Sequence, residues 1–259
     1  KQKQLALQVV SAQPEADKNA YKRLSSFSSE ARQIIQDIYS DLGAYTKISG
    51  VLFHDDAVLS EYEDDSEFAR AAYRQQFPGA ENVVQINKNK GNADQLMRFK
   101  TQQLTNFTME LTKKLKRYQP ELKTARNLYA PALLNAESER WLAQNYQNCI
   151  ANYDYTAVMA MPAMENAAHP EEWLKSLVKK AKMTKHGLQK TVFELQAQDW
   201  KLKRPVNTAV LTQQIQVLTD AGAIHVGYYP DDFLSNQPDM ETIRPYISSR
   251  VFPYLPRSK

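Results

Sequence analysis

The stretch Ser49-Gly50-Val51-Leu52-Phe53-His54-Asp55-Asp56-Ala57 decides how this chain is read. Its apolar part, with Ile48 ahead of it, has the length of a strand. It runs straight into a histidine and two adjacent carboxylates. Parallel barrel sheets carry their chemistry at the carboxyl ends of their strands, so an active site is sought at this point. Paired acids in such a place suggest hydrolysis of a glycosidic bond, among other options.

Working outward, five segments read as buried parallel strands: Ile48–Phe53, Leu122–Leu128, Thr156–Met161, Thr191–Leu195 and Ala223–Tyr229. Each is followed by polar or acidic residues. Helical patterns lie between them. Ala31, Ile34, Ile35, Ile38 and Leu42 share one helical face, with Ser28 as the expected N-cap and Gly43 as the expected residue just past the end. Leu96, Phe99, Leu104, Phe107, Leu111 and Leu115 make a second stripe, stopped by Pro120. A third follows Pro170 through Trp173, Leu174, Leu177, Val178 and Ala181, and a fourth runs from Val210 to Leu218 before Gly222.

Strand alternating with helix implies a parallel sheet with right-handed crossovers. A nucleotide-binding open sheet would carry a glycine-rich phosphate loop, and neither such pattern occurs among the 7 glycines. The expected fold is therefore α/β, a (β/α)8 TIM-like barrel. Five strands do not close it, so the barrel is expected to be incomplete, with its first strands absent and residues 1–259 forming one domain fragment. Leu5–Val10 is the one apolar piece near the start and is read as a loop hairpin.

Composition narrows the function classes. The 259 residues carry 33 cationic and 29 anionic side chains, well mixed, for a net charge of +4. No basic run is dense enough to argue for nucleic acid. No apolar run approaches the roughly 18 residues of a membrane helix, and no signal peptide is seen. The four histidines (His54, His169, His186, His225) and the lone Cys149 show no zinc-ligand spacing, so neither metal nor cofactor is expected. Cys149 has no base beside it and is read as structural.

The strand ends hold the candidate chemistry. Seven carboxylates lie between Asp55 and Glu67. Like charges held close in a desolvated cleft raise one pKa, which keeps an acid protonated near neutrality. Asp55 and Asp56 are read as functional, because an idle charge continuing a buried strand is costly. Asp64, Asp65 and Glu67 are read as loop or capping residues. Arg126 and Asn127 end the second strand, and an arginine there can hold a carboxylate ionised or grip a substrate oxygen. Glu165, after the third strand, is a second carboxylate or a helix cap. Gln196 and Trp200 follow the fourth strand, and Tyr228, Tyr229 and Asp231 the fifth; Trp141 sits in a short helical segment after the second. Aromatic faces stack on sugar C–H surfaces, while amides and acids match hydroxyls, so this mixture suits carbohydrate.

Several motifs carry a resemblance in order along the chain: Val51-Leu-Phe-His-Asp-Asp-Ala57 with Glu61-Tyr-Glu-Asp64, Lys123-Thr-Ala-Arg-Asn127, Val158-Met-Ala-Met-Pro162, Glu194-Leu-Gln-Ala-Gln198 with Trp200, Gly227-Tyr-Tyr-Pro-Asp231, Asn236-Gln-Pro238 and Ile243-Arg-Pro245. From about Tyr21 onward the sequence resembles the C-terminal domain of the bacterial poly-β-1,6-N-acetylglucosamine N-deacetylase family. The resemblance implies a barrel that binds the biofilm polysaccharide and cleaves its partially deacetylated form. The deacetylase domain, with its metal ligands, would be absent. It also implies a periplasmic, outer-membrane-anchored parent protein and contact with export machinery. Carried over by position, Asp55, Asp56, Glu61 and Glu63 form an acidic cleft, with Glu63 as expected proton donor and Asp55 or Asp56 as partner. His54 would join them, and Trp141 and Trp200 would be sugar platforms. The family pattern has Asp more often where Glu61 stands. Two other readings stay open: a polysaccharide-binding module that does not cut, and a domain for contact with export partners.

Overall fold

The computed structural model describes residues 7–13 and 22–247; the start of the expected Leu5–Val10 hairpin lies outside them. In chain order the main elements are α1 Ser29–Tyr45, β1 Gly50–Phe53, α2 Glu67–Gln76, α3 Val83–Asn87, α4 Lys90–Lys116, β2 Lys123–Tyr129, α5 Tyr146–Asn152, β3 Tyr155–Met159, α6 Pro170–Lys182, β4 Thr191–Gln196, β5 Gln198–Asp199, β6 Arg204–Pro205, α7 Thr208–Asp220, β7 His225–Tyr229 and α8 Met240–Ile247. All five expected strands are present, and strand alternates with helix as in part of a (β/α)8 barrel. Among the described residues no helix is long and apolar enough to cross a membrane.

The chain divides into two compact units: residues 1–126 with 135–152, and residues 127–134 with 153–259. In the first, β1 pairs in parallel with the start of β2, Gly50 opposite Lys123 and Phe53 opposite Arg126. Gly50 is required there, because a Cβ would stand 2.9 Å from the Lys123 carbonyl oxygen. β1 is less buried than its apolar sequence suggests: Phe53 is covered, whereas Leu52 is 46% exposed.

α1 starts as expected, with the Ser28 hydroxyl accepting from the Ala31 N–H at 3.2 Å. Its end differs. The helix runs past Gly43 to a cap at Thr46. Gly43 instead permits close packing on α4, where a Cβ would lie 3.3 Å from the Leu115 Cα and 3.1 Å from the Tyr118 ring. Ile34 and Ile38, expected inward, are exposed.

The buried face of α4 also differs from its apolar stripe. Leu96, Leu111 and Leu115 are buried, but so are Lys100, Thr101, Thr105, Thr108 and Thr112. Most of these threonine hydroxyls bond back to carbonyls three or four residues earlier, as Thr101 does to Met97 and Thr112 to Thr108, which removes the cost of burying them. A core formed by Ala69, Tyr73, Phe77, Val83, Ile86 and Leu96 packs against Phe27 and Phe99. Phe27 and Tyr73 meet edge to face at 5.5 Å.

In the second unit the rest of β2 continues in the order β2-β3-β4-β7. The β3–β4 and β4–β7 pairs are parallel, with Met159 opposite Glu194 and Gln196 opposite Tyr229. β5 and β6 form a small antiparallel pair that the sequence reading did not foresee. The core joins Leu128, Val158, Phe193 and Leu195 on the strands to Leu174, Leu177, Leu211, Ile215, Leu218 and Ile243 on helices, all fully buried. Each such side chain contributes roughly 1.5–3 kcal/mol by leaving water.

Candidate active site

The end of β1 brings three candidate residues together. His54 Nδ1 lies 2.7 Å from an Asp55 carboxylate oxygen and 3.3 Å from one of Asp56. Asp55 is buried, 6% exposed, while Asp56 and His54 open to solvent. One ligand atom from each of the three falls within 4.8 Å of the others, the only grouping among the described residues with this capacity for a cation. An acid–histidine hydrogen-bond cluster accounts for the same geometry without one.

The loop that follows is anchored from beneath. Arg126, 4% exposed, donates to the carbonyls of Phe53, His54 and Ala57. Its guanidinium is thereby turned onto the main chain. Gln144 reaches the Asp55 carbonyl at 3.3 Å. Arg23 donates to the Val58 carbonyl and pairs with Glu63 at 2.5 Å. Glu63 itself is buried, and its other oxygen accepts from the Ser60 N–H at 3.0 Å. Both of its oxygens are therefore engaged. Glu61 contributes its carbonyl to Lys100 and Asn87, and its side chain is partly exposed. Trp141 lies on the short helix Glu139–Leu142, 46% exposed, and the Leu142 carbonyl accepts from the Leu59 N–H.

Asp64 and Asp65 lie in the loop as expected, but both are buried, and α2 is capped by Ser66 instead. Asp64 is fully buried and accepts from the Val10 and Ser66 N–H groups and from the Ser25 hydroxyl at 2.5 Å. Asp65 holds Arg70 at 2.6 Å and the Val83 N–H that opens α3. Cys149 is buried as expected, and burial pushes its thiol up to about 12, which leaves it inert.

The second unit gathers the remaining candidates around its own strand ends. The Asn127 side-chain amide donates to Glu194 at 2.8 Å, and its side-chain oxygen Oδ1 is buried without a hydrogen-bond partner among the described residues. Gln196 accepts from the Met164 N–H at 2.9 Å and donates to the Gln198 carbonyl, which ties the loop after β3 to the loop after β4. Glu165 is partly buried, and burial raises its pKa against the opposing pull of Lys201. Trp200 and Tyr229 stack at 6.4 Å and 27°, each about half exposed. The Tyr228 hydroxyl donates to Asp231 at 3.3 Å. The stacked Trp200–Tyr229 pair presents a half-exposed aromatic face, a type of surface on which sugar rings can stack.

Sequence reasoning missed Arg23 and Lys100. Lys100 is 2% exposed, with its ammonium 3.0 Å from the Ser60 carbonyl. The available signal was its place four residues after Leu96, on the buried face of α4.

Comparison with known proteins agrees with this architecture. The chain is 41% identical over 241 residues to the poly-β-1,6-N-acetyl-D-glucosamine N-deacetylases of Escherichia coli K12 and O157:H7, covering 90% of this chain and 35% of theirs. It thus spans about a third of the length of these curated relatives. The PgaB (BpsB) glycoside hydrolase domain from Bordetella bronchiseptica matches with a TM-score of 0.86 and 40% identity, over 93% of this chain and 69% of that one. A GH42 β-galactosidase from G. stearothermophilus shares the fold alone, with a TM-score of 0.60 and 13% identity, over 95% of this chain and 43% of that one. The family model for hypothetical glycosyl hydrolase family 13 matches residues 1–229, and the chain belongs to that family.

Proposed function

We propose that this chain, acting as a single domain, binds partially deacetylated poly-β-1,6-N-acetyl-D-glucosamine and hydrolyses it as an endo-acting glycoside hydrolase. The observation that carries the proposal is the buried Asp55 carboxylate, held by His54 beside the exposed Asp56 at the end of a barrel-type strand. Glycosidic hydrolysis needs carboxyl groups in two roles, a proton donor and a nucleophile or base. Asp55, Asp56 and Glu63 are the candidates for those roles. Glu63, the expected donor, must first release Arg23 and the Ser60 N–H, so Asp55 and Asp56 lead. Their oxygens fall within 4.8 Å of each other.

The polymer's free glucosamine amines are cationic near neutral pH, which the acids between Asp55 and Glu63 complement. Trp141, Trp200 and Tyr229 offer faces for sugar rings. The family resemblance extends the proposal to a role in biofilm polysaccharide export, with a periplasmic, outer-membrane-anchored parent protein and partners in the export machinery. The test is cleavage of the partially deacetylated polymer by the wild type and by Asp55→Asn, Asp56→Asn and Glu63→Gln. Cleavage that persists in all three removes the assignment.

The stacked Trp200–Tyr229 pair favours a second reading, a polysaccharide-binding domain that guides the polymer for an attached deacetylase. It predicts oligosaccharide binding, weakened by Trp200→Ala, with no product after long incubation.

A further inference from the structure

The loop from Phe53 to Tyr62 contains no regular secondary structure beyond its first residue, so its carbonyls must find donors outside a ladder or helix. Three of the suppliers are cations from separate parts of the first unit. Arg126 on β2 takes the carbonyls of Phe53, His54 and Ala57. Arg23, from the segment before α1, takes Val58. Lys100 on α4 takes Ser60 at 3.0 Å and Glu61 at 3.4 Å. Gln144, Asn87 and the Ala12 N–H hold Asp55, Glu61 and Tyr62 by their carbonyls as well. The cations grip backbone, and of the loop's acids Glu63 alone is paired with one of them. Asp55 and Asp56 thus keep their carboxylates clear of the anchors.

We propose that Lys100, together with Arg23 and Arg126, is a positioning residue that fixes the acid-bearing loop through its carbonyls and so sets the geometry of Asp55 and Asp56. The inference rests on the reading of those two aspartates as the reacting acids. A charged donor makes a hydrogen bond roughly twice as strong as a neutral one, so the grip depends on the ammonium's charge. Burial lowers the Lys100 pKa to about 8, against the raising influence of Glu63, Asp64, Glu61 and Asp65. Of these acids, Glu63 pairs with Arg23, while Asp64 and Asp65 act on Tyr73 of α2.

Below about pH 8 both folded and unfolded chains carry this proton. From there to 10.5 the unfolded chain binds more protons than the folded one, so Lys100 makes stability rise with pH.

The test is amide hydrogen-exchange protection, which is referenced to intrinsic rates at each pH, read at Val58, Leu59, Ser60 and Glu63. In Lys100→Met, protection of these amides at pH 7 is expected to be about tenfold below the wild type while α4 and β2 hold theirs. With the polymer as substrate, Lys100→Met should lower kcat and leave KM near wild type. Loop protection in Lys100→Met equal to that of the wild type overturns the proposal. Equal loss of protection throughout Lys100→Met also overturns it. If the wild type cleaves no polymer, the hydrolase reading fails, while the exchange data still decide whether Lys100 positions the loop.

Discussion

Asp55 and Glu63 are both acids, both buried and eight residues apart, yet their surroundings give them different chemistry. Asp55 meets a half-open histidine, and Glu63 meets a guanidinium and a backbone N–H. Replacing Asp55 or Asp56 by Asn should lower cleavage by about 10²–10⁴-fold, the scale of acid–base catalysis, with a thermal midpoint close to wild type. Glu63→Gln should also lower stability, by about 1–3 kcal/mol, because it leaves the Arg23 charge without its partner. Urea denaturation separates the two outcomes. Glu165 gives a separate pH signature. Burial raises its folded pKa, so its favourable contribution is full below the ordinary carboxylate range and is lost as pH rises through the raised value. Glu165→Gln should therefore gain stability relative to wild type between pH 4 and 7, as melting curves at the two pH values would show.

At the scale of elements, all five strands were legible because apolar runs ended in polar clusters, and α1 began at Ser28 as its capping pattern predicted. Ser28→Ala should cost about 1 kcal/mol in chemical denaturation. The end of α1 was misread because Gly43 looks like a stop signal, whereas it serves close contact with Leu115 on α4. Periodicity also misjudged α4. Its buried face holds threonines that satisfy their own hydroxyls and a lysine that satisfies loop carbonyls, and neither shows in an apolar stripe. The same limit governed the site. His54, Asp55 and Asp56 were legible because they are adjacent. The Arg23–Glu63 pair joins residues 40 apart and the Lys100 anchor joins residues 40 apart as well, separations that spacing rules do not reach. Arg126 was expected at the strand end, whereas it lies in the middle of β2, and nothing local revealed that it faces carbonyls.

For the whole molecule, a net charge of +4 accompanies a local concentration of acids after β1. If these acids receive a polymer carrying cationic amines, added salt should weaken binding of the partially deacetylated polymer and leave binding of a fully acetylated oligomer nearly unchanged. Titrations at 50 and 500 mM NaCl test this. Trp200→Ala should weaken both ligands by about 0.5–1.5 kcal/mol, since stacking on sugar faces is indifferent to the amine. The central claim is cleavage, and the most direct measurement is mass spectrometry of partially deacetylated poly-β-1,6-N-acetyl-D-glucosamine after incubation with this chain and with its Asp55→Asn variant. The account predicts shorter oligomers from the wild type and intact polymer from the variant. Polymer that the wild type binds but leaves intact, or equal cleavage by both, would contradict it.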